Sequence, residues 1–260
     1  MKLIVKIGGA ALDNPELVKH FATAIAELAK IGHQVAVVHG GGAALTRTMK
    51  ELGRESTFIN GLRVTDRQTR DVALMVLAGH LNKQLVAAVG ATGQPALGLC
   101  GGDLHLVRAV KKNGGVDLGF VGDIRAVDTQ WIQRLWGHGA VPIISSIALG
   151  SEGEYYNVNA DQMASACAVA CGANALVFLT DVAGVKGSDG AVIRWLPIGT
   201  IPQMISDATV SGGMLPKLEA CTHAIKRGVR RVRILPAEHL HVLPGFFTDA
   251  IHFGTEVIAA

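Results

Sequence analysis

Two short apolar runs each end in glycines and lead directly into a helical segment. This repeated pattern constrains the fold more than any other feature of the chain. Leu3–Ile7 reads as a strand closed by Gly8-Gly9. Pro15 through Ile31 reads as a helix, with Asp13 or Asn14 as its cap, Pro15 in its first turn and Gly32 at its end. Gln34–Val38 is a second strand, ended by His39-Gly40-Gly41-Gly42, and Ala43–Leu52 is the helix that follows, ended by Gly53. Strand, glycine loop and helix, twice in succession, predict right-handed crossovers and a mainly parallel sheet.

The middle of the chain is less regular. A long helix is expected over Thr69–Val89 and a short strand over Ala96–Leu99. Residues Leu104 to Ile124 read as a β-hairpin with Lys111–Gly115 as its turn, a candidate lid by position. Thr129–Trp136 is a helix and Val141–Ser145 a strand that tolerates Pro142 near its start. The alternation then resumes. Ala160–Cys171 is a helix, Ala175–Thr180 an almost wholly apolar strand, Met214 or Pro216 to Arg227 a helix, and Val229–Leu235 a strand. A strand as apolar as Ala175–Thr180 belongs in the middle of a covered parallel sheet. No Pro/Ser/Gly-rich linker, internal repeat or low-complexity tract divides the chain.

Composition narrows the function classes. The 260 residues are 49% hydrophobic and 17% charged, enough apolar content for a large core and against disorder. A net charge of +3 suits small anionic substrates and gives no clustered stripe for nucleic acid. The basic run Lys226–Arg233 reads as a solvated helix end and strand start. The four cysteines form no C-x-x-C pair and read as buried reduced thiols, so no metal site is expected. No signal-peptide pattern opens the chain and no apolar run reads as long enough to span a membrane, so a cytoplasmic protein is expected.

Several residues carry chemistry. Lys6 stands near the carboxyl end of a parallel strand, where open α/β sheets bind ligands, although a surface lysine before a turn is the plain alternative. Three glycines at a strand-to-helix turn make a cradle for phosphate or carboxylate, backed by the helix dipole. Neither the dinucleotide fingerprint nor the P-loop pattern is present. Arg63, in Asn60-Gly61-Leu62-Arg63-Val64-Thr65, has the planar fork that clamps carboxylates, or is a surface arginine. Asn157-Val158-Asn159-Ala160-Asp161 opens a helix, either as caps or with Asp161 holding lysines in place. Lys217 follows Ser211-Gly212-Gly213 inside a helix start, a position that disfavours a cation unless an anion binds beside it.

In order and spacing these segments resemble the amino-acid kinase family. They run from Lys6–Gly9 through His39–Gly42, Asn60–Thr65, Tyr156–Asp161 and Asp181–Val185 to Gly212–Lys217 and Gly228, and span essentially the whole chain. The resemblance implies a three-layer αβα sandwich around a mainly parallel sheet. It implies an acceptor lobe over about residues 1–172 and a nucleotide lobe over 173–260 of a single domain. It further implies that Lys6, Lys217 and Asp161 are catalytic and that Gly41, Gly42, Arg63, Asn157 and Asn159 bind the acceptor. Gly9, Asp181, Gly184, Val185, Lys186, Thr209, Val210 and Ser211 would contact phosphate or nucleotide. The Asn-Gly-Leu-Arg-Val-Thr and Asn-Val-Asn-Ala-Asp segments favour the branch that moves the γ-phosphoryl group of ATP onto the side-chain carboxylate of N-acetyl-L-glutamate. Magnesium would arrive on the nucleotide.

Family members inhibited by arginine carry an added N-terminal helix. Here the first strand begins at Leu3 and Phe246–Thr255 lacks the expected glycine-rich acidic pattern, so a homodimer insensitive to arginine is expected. The rival readings are a kinase of the same fold for a carrier-linked aminoadipate and a non-catalytic ATP or amino-acid sensor. A nicotinamide dehydrogenase lacks its fingerprint here.

Overall fold

The computed structural model describes residues 1–59, 61–248 and 253–259. The chain opens with β1 (Lys2–Ile7), α1 (Pro15–Lys30), β2 (Gln34–His39) and α2 (Gly42–Glu51). A two-residue ladder, β3 (Phe58–Ile59) with β4 (Leu62–Arg63), precedes α3 (Arg67–Ala73) and α4 (Asn82–Gly90). Next come β5 (Ala96–Leu99), β6 (Val107–Lys111), β7 (Gly122–Val127), α5 (Gln130–Gly137) and β8 (Val141–Ser145). Two short strands, β9 (Ile147–Leu149) and β10 (Tyr155–Asn157), lead into α6 (Ala160–Ala170) and β11 (Ala175–Thr180). The remainder is β12 (Trp195–Pro197), α7 (Ile201–Ser206), α8 (Met214–Lys226), β13 (Arg231–Pro236) and β14 (Thr255–Ile258).

The main sheet has eight strands in the order β12-β14-β13-β11-β1-β2-β8-β5. From β13 to β5 every pairing is parallel, whereas β14 joins β13 antiparallel. The chain leaves β1 toward β2 on one side and later fills β11 and β13 on the other. The switch in strand order therefore falls beside β1, and the crevice at the carboxyl ends of β1 and β11 is where such sheets hold ligands. A second sheet has the order β10-β9-β6-β7.

Side-chain alternation along β1 builds the layers. Leu3, Val5 and Ile7 pack with Phe21, Ile25 and Leu28 of α1 and with Leu77, Leu81 and Leu85. Ile4 faces the other layer, with Met163, Ala164 and Cys167 of α6 and Leu218 and Cys221 of α8. By the same alternation Lys6 belongs to the α6–α8 side. Each fully buried Leu, Ile or Phe contributes about 1.5–3 kcal/mol relative to exposure. The three-layer sandwich with a mainly parallel sheet is thus the observed architecture.

Local signals set the helix ends. The Asn14 side chain accepts from the amides of Glu16 and Leu17 at 3.0 and 3.3 Å, and Pro15 sits in the first turn of α1. Asp66 caps α3 through the Thr69 amide at 2.7 Å, so the long helix starts at Arg67 rather than Thr69.

Four expectations need correction. The long helix runs Arg67–Gly90 with a π-helical stretch at Leu74–Leu81, and its 24 residues are long and apolar enough to cross a membrane by length and composition. It is apolar because one face is core: Val72, Val76, Leu77, Leu81, Leu85 and Val89 are buried against the sheet and α1. The hairpin strands are Val107–Lys111 and Gly122–Val127, joined by residues 112–121 rather than by a tight turn. That connection is held back onto the core, with Phe120 N–H donating to the Thr65 carbonyl at 2.6 Å. The last strand of the α/β pattern starts at Arg231, not Val229. Within the basic run Arg233 is buried, its guanidinium 3.1 Å from Glu256 of β14, because antiparallel β14 brings a carboxylate across to it. Asn60 and part of Phe246–Thr255, residues 249–252, lie outside the described residues.

Candidate active site

Lys6, near the end of β1, Asp161, in the first turn of α6, and Lys217, in the first turn of α8, meet in one buried cluster. Lys6 Nζ lies 2.9 Å from Asp161 Oδ1. Lys217 Nζ lies 3.0 and 3.1 Å from Asp161 Oδ1 and Oδ2 and 5.1 Å from the Phe178 ring centroid. Gly8 makes room for this arrangement: a Cβ there would stand 2.9 Å from Lys6 Nζ. Asn159 sets the approach of α6 by accepting from the amides of Asp161 and Gln162 at 2.9 and 3.1 Å.

Charge balance shapes the cluster. Burial alone would raise the Asp161 pKa, but the charges and hydrogen bonds of Lys6 and Lys217 outweigh it and hold the carboxyl below its ordinary range. Burial lowers the Lys217 pKa, Lys6 lowers it further, and Asp161 opposes both. Two ammonium groups share one carboxylate, so the cluster carries excess positive charge in a poorly solvated place. An anion arriving here gains more than it would in water.

Two cavities meet at this cluster, and both are lined by Lys6, Gly8 and Asp161. The first, about 200 Å³, contains Gly41, Gly42, Arg63, Asn157 and Asn159. The second, about 440 Å³, contains Asp181, Ser211, Gly213 and Lys217. Arg63 is buried, and burial lowers its pKa. One of its nitrogens donates to the Gly42 carbonyl at 3.0 Å and to Thr46 Oγ1 at 2.7 Å, and another donates to Ser56 Oγ. Phe58 stacks on the guanidinium at 4.6 Å. This fixes the fork at the cavity wall. Asn157 Nδ2 donates to Thr65 Oγ1 at 3.3 Å.

Both cavities touch helix starts without a side-chain cap. Gly41 precedes α2 and Gly213 precedes α8, and neither helix start has a side-chain cap hydrogen bond. At α8 the Met214 and Leu215 amides donate to the Ser211 and Gly212 carbonyls at 3.2 Å and Pro216 has no N–H, so there the helix dipole alone favours an anion, whereas the glycine turn into α2 offers backbone amides as well. Gly41 packs directly on Leu77 and Leu81, with no space for a Cβ at its φ of 157°.

Not every residue singled out in the sequence lines these cavities. Gly9 opens a 3-10 turn at Gly9–Asp13, and Gly8 is the glycine in contact with both spaces. Gly184 and Val185 are buried, with the Val185 amide donating to Thr255 Oγ1 at 2.9 Å, and Lys186 is exposed in a bridge to Val192. Thr209 donates through its hydroxyl to Asp207 at 2.6 Å, and Val210 is in the core. Ser146 and Thr180 also line the cavities and lie outside the segments that the sequence singles out, whereas Leu62, Val182 and Met214, which line them too, fall within those segments. Ser146 and Thr180 lie at the carboxyl ends of β8 and β11, and that position was the available signal.

The amino acid kinase family model matches residues 1–236. The chain belongs to the amino acid kinase family. Among curated relatives of this amino acid kinase, an acetylglutamate kinase of Acidobacterium capsulatum is 60% identical over 260 residues, covering 100% of both chains. An acetylglutamate kinase of Koribacter versatilis is 60% identical over 259 residues, covering 100% of this chain and 99% of its own. Among solved structures, N-acetylglutamate synthase from Neisseria gonorrhoeae, complexed with coenzyme A and N-acetyl-glutamate, shares the fold. Its TM-score is 0.87 at 24% identity, covering 99% of this chain and 59% of that one.

Proposed function

We propose that this amino acid kinase transfers the γ-phosphoryl group of ATP to the γ-carboxylate of N-acetyl-L-glutamate, giving N-acetyl-L-glutamyl 5-phosphate and ADP, a step of arginine biosynthesis. The observation that carries the reading is the Lys6–Asp161–Lys217 cluster at the junction of two cavities, one on the Arg63 side and one on the Lys217 side. The two full-length relatives at 60% identity support the choice of acceptor.

The chemistry follows from charge. Phosphoryl transfer depends on in-line positioning and on neutralising oxygens that carry charge in the transition state. Lys6 and Lys217 supply two cations at that point, and Asp161 holds both in place. The acceptor carboxylate is already ionised at neutral pH, so the residues need no general base. Arg63 pairs with the acceptor's other carboxylate, and the amides of Gly41 and Gly42 serve the reacting end. Asn157 and Asn159 border the acceptor, and residues 181–186 and 209–211 the nucleotide. The lobes 1–172 and 173–260 divide these roles.

Magnesium, when bound, offsets phosphate charge. Among the described residues no group of three or more His, Cys, Asp or Glu is placed to cage a metal, and Asp161 is committed to two lysines. These residues fit a metal carried by nucleotide phosphates rather than a protein cage.

We also propose a cytoplasmic homodimer. β5 forms an open edge of the main sheet with Leu97 exposed, and Met75 is exposed on the long helix. Edges of this kind favour pairing with another chain, and sedimentation at micromolar protein tests it.

A hydroxylamine-trapped assay with MgATP decides the acceptor. Acyl phosphate is expected with N-acetyl-L-glutamate and not with glutamate, aspartate or aminoadipate. Equal or greater product from aminoadipate, or none from any acceptor, would overturn the reading.

A further inference from the structure

A cavity larger than either catalytic one lies outside the catalytic cleft. A groove of about 510 Å³ lies between β7, α6 and α8, and none of its lining residues lines either catalytic cavity. Its size is within the range of small-molecule sites. Ile124 and Val127 of β7 and Val169 of α6 give it an apolar floor. Arg125 of β7 and Arg227, just past α8, bring two guanidinium groups to it from separate elements. Neither has a hydrogen-bond or ion-pair partner among the described residues, whereas Asp123 nearby is paired to Lys112 at 2.7 Å.

The wall is a hydrogen-bonded clamp. Ser165 Oγ of α6 donates to the Ala220 carbonyl of α8 at 2.9 Å and receives the Nδ1–H of His223 at 2.9 Å. That leaves His223 Nε2 unpaired beside the groove. Burial first, and then the charge of Arg227, lower the His223 pKa. The same two helices present Asp161 and Lys217 to the catalytic cleft. Gln162 and Glu219, each within two positions of those residues, line the groove.

We propose that this groove is a second ligand site for a small organic anion, a carboxylate or phosphate on a compact apolar body, whose occupancy adjusts how α6 sits against α8. The anionic group pairs with Arg125 and Arg227, the apolar body covers Ile124, Val127 and Val169, and Glu219 accepts from any hydroxyl or amine on the ligand.

The test is direct binding, read by isothermal titration in protein whose catalytic cleft is filled with a non-hydrolysable ATP analogue and N-acetyl-L-glutamate. The probes are benzoate, phenyl phosphate and uncharged benzyl alcohol. At least one anion is expected to bind below about 10 mM, with benzyl alcohol at least about tenfold weaker. The stronger of the two anions identifies the headgroup. The double variant Arg125→Ala/Arg227→Ala should weaken anion binding at least about tenfold, as expected for lost charged hydrogen bonds, with kcat in the absence of probe unchanged. Absence of anion binding, equal binding of benzyl alcohol, or undiminished binding by the double variant would overturn the proposal. Binding is read without turnover, so its failure is distinct from failure of the kinase assignment.

Discussion

Lys217 Nζ contacts both carboxylate oxygens of Asp161, at 3.0 and 3.1 Å, and Lys6 Nζ approaches the same Oδ1 at 2.9 Å. One carboxylate oxygen, Asp161 Oδ1, therefore holds both ammonium groups at one point. The arrangement separates two effects of mutation. Lys217→Ala removes a transition-state cation and leaves the Lys6–Asp161 pair. It should keep KM for both substrates within a few-fold and lower kcat by about 10²–10³. Asp161→Asn instead leaves two ammonium groups facing each other. Breaking a buried pair from one side costs about 3–5 kcal/mol, so its thermal midpoint should fall and partly recover with saturating ATP analogue. A Lys217→Ala enzyme with near-normal kcat would remove that residue from the chemistry.

The pH dependence follows from the same cluster. Burial and the nearby Lys6 hold Lys217 below the ordinary lysine value of 10.5 despite Asp161. In the free enzyme the ammonium is therefore lost at lower pH than an exposed lysine would lose it. Bound phosphates favour the charged form and move the loss to higher pH. The alkaline limb of kcat/KM, which reports the free enzyme, should lie below that of kcat, which reports the complex. Coincident limbs would show that Lys217 does not sense the nucleotide.

Arg63 is expected to govern affinity more than turnover. Its fork is oriented by the Gly42 carbonyl, Thr46 and Ser56 and stacked on Phe58. A lysine keeps the charge and loses the planar fork. Arg63→Lys should raise KM for N-acetyl-L-glutamate by at least about tenfold, the loss of a charged hydrogen bond, with kcat and KM for ATP within a few-fold. A fall in kcat with unchanged KM would place Arg63 at the reacting carboxylate.

Much of this was legible because local signals and the sheet agree. Gly8 and the glycines after His39 mark strand ends, and Asn14 and Asn159 mark helix starts as their hydrogen bonds require. Lys217 in a helix first turn also stood out, since the dipole disfavours it there. Other features depend on distant partners. Arg233 reads as surface until β14 places Glu256 against it. The π-helical stretch at Leu74–Leu81 keeps an ordinary apolar pattern, since a change in hydrogen-bond register leaves little mark on periodicity. β9, β10 and β12, at three residues each, are too short to show a period. The groove beside His223 was invisible for the same reason. Its arginines come from β7 and from the end of α8, and only the fold brings them together.

His39 links the glycine loop to the acid stability of the fold. It is fully buried, with Nδ1–H donating to the Gly40 carbonyl at 2.9 Å and Nε2 accepting from Asn82 Nδ2 at 3.1 Å. Asn82 Nδ2 also donates to the Ile143 carbonyl at 2.9 Å, so a proton on Nε2 would face a donor. Burial, with a smaller contribution from Lys6 and against the Gly40 bond, lowers the His39 pKa from 6.5 to about 4. Below pH 6.5 the unfolded chain binds a proton that the folded chain refuses. The stabilisation from neutral His39 is therefore complete above pH 6.5 and is lost as pH falls toward about 4. Over that span the loss is on the order of 3 kcal/mol. Urea unfolding of the wild type and His39→Gln at pH 7.5 and 4.5 isolates this effect, because other groups titrate alike in both proteins. The wild type's stability advantage should shrink by roughly 2–3 kcal/mol at the lower pH. An equal advantage at both values would mean that the buried imidazole titrates as it does in the unfolded chain, and the His39–Asn82 contact would then not be holding the ring neutral.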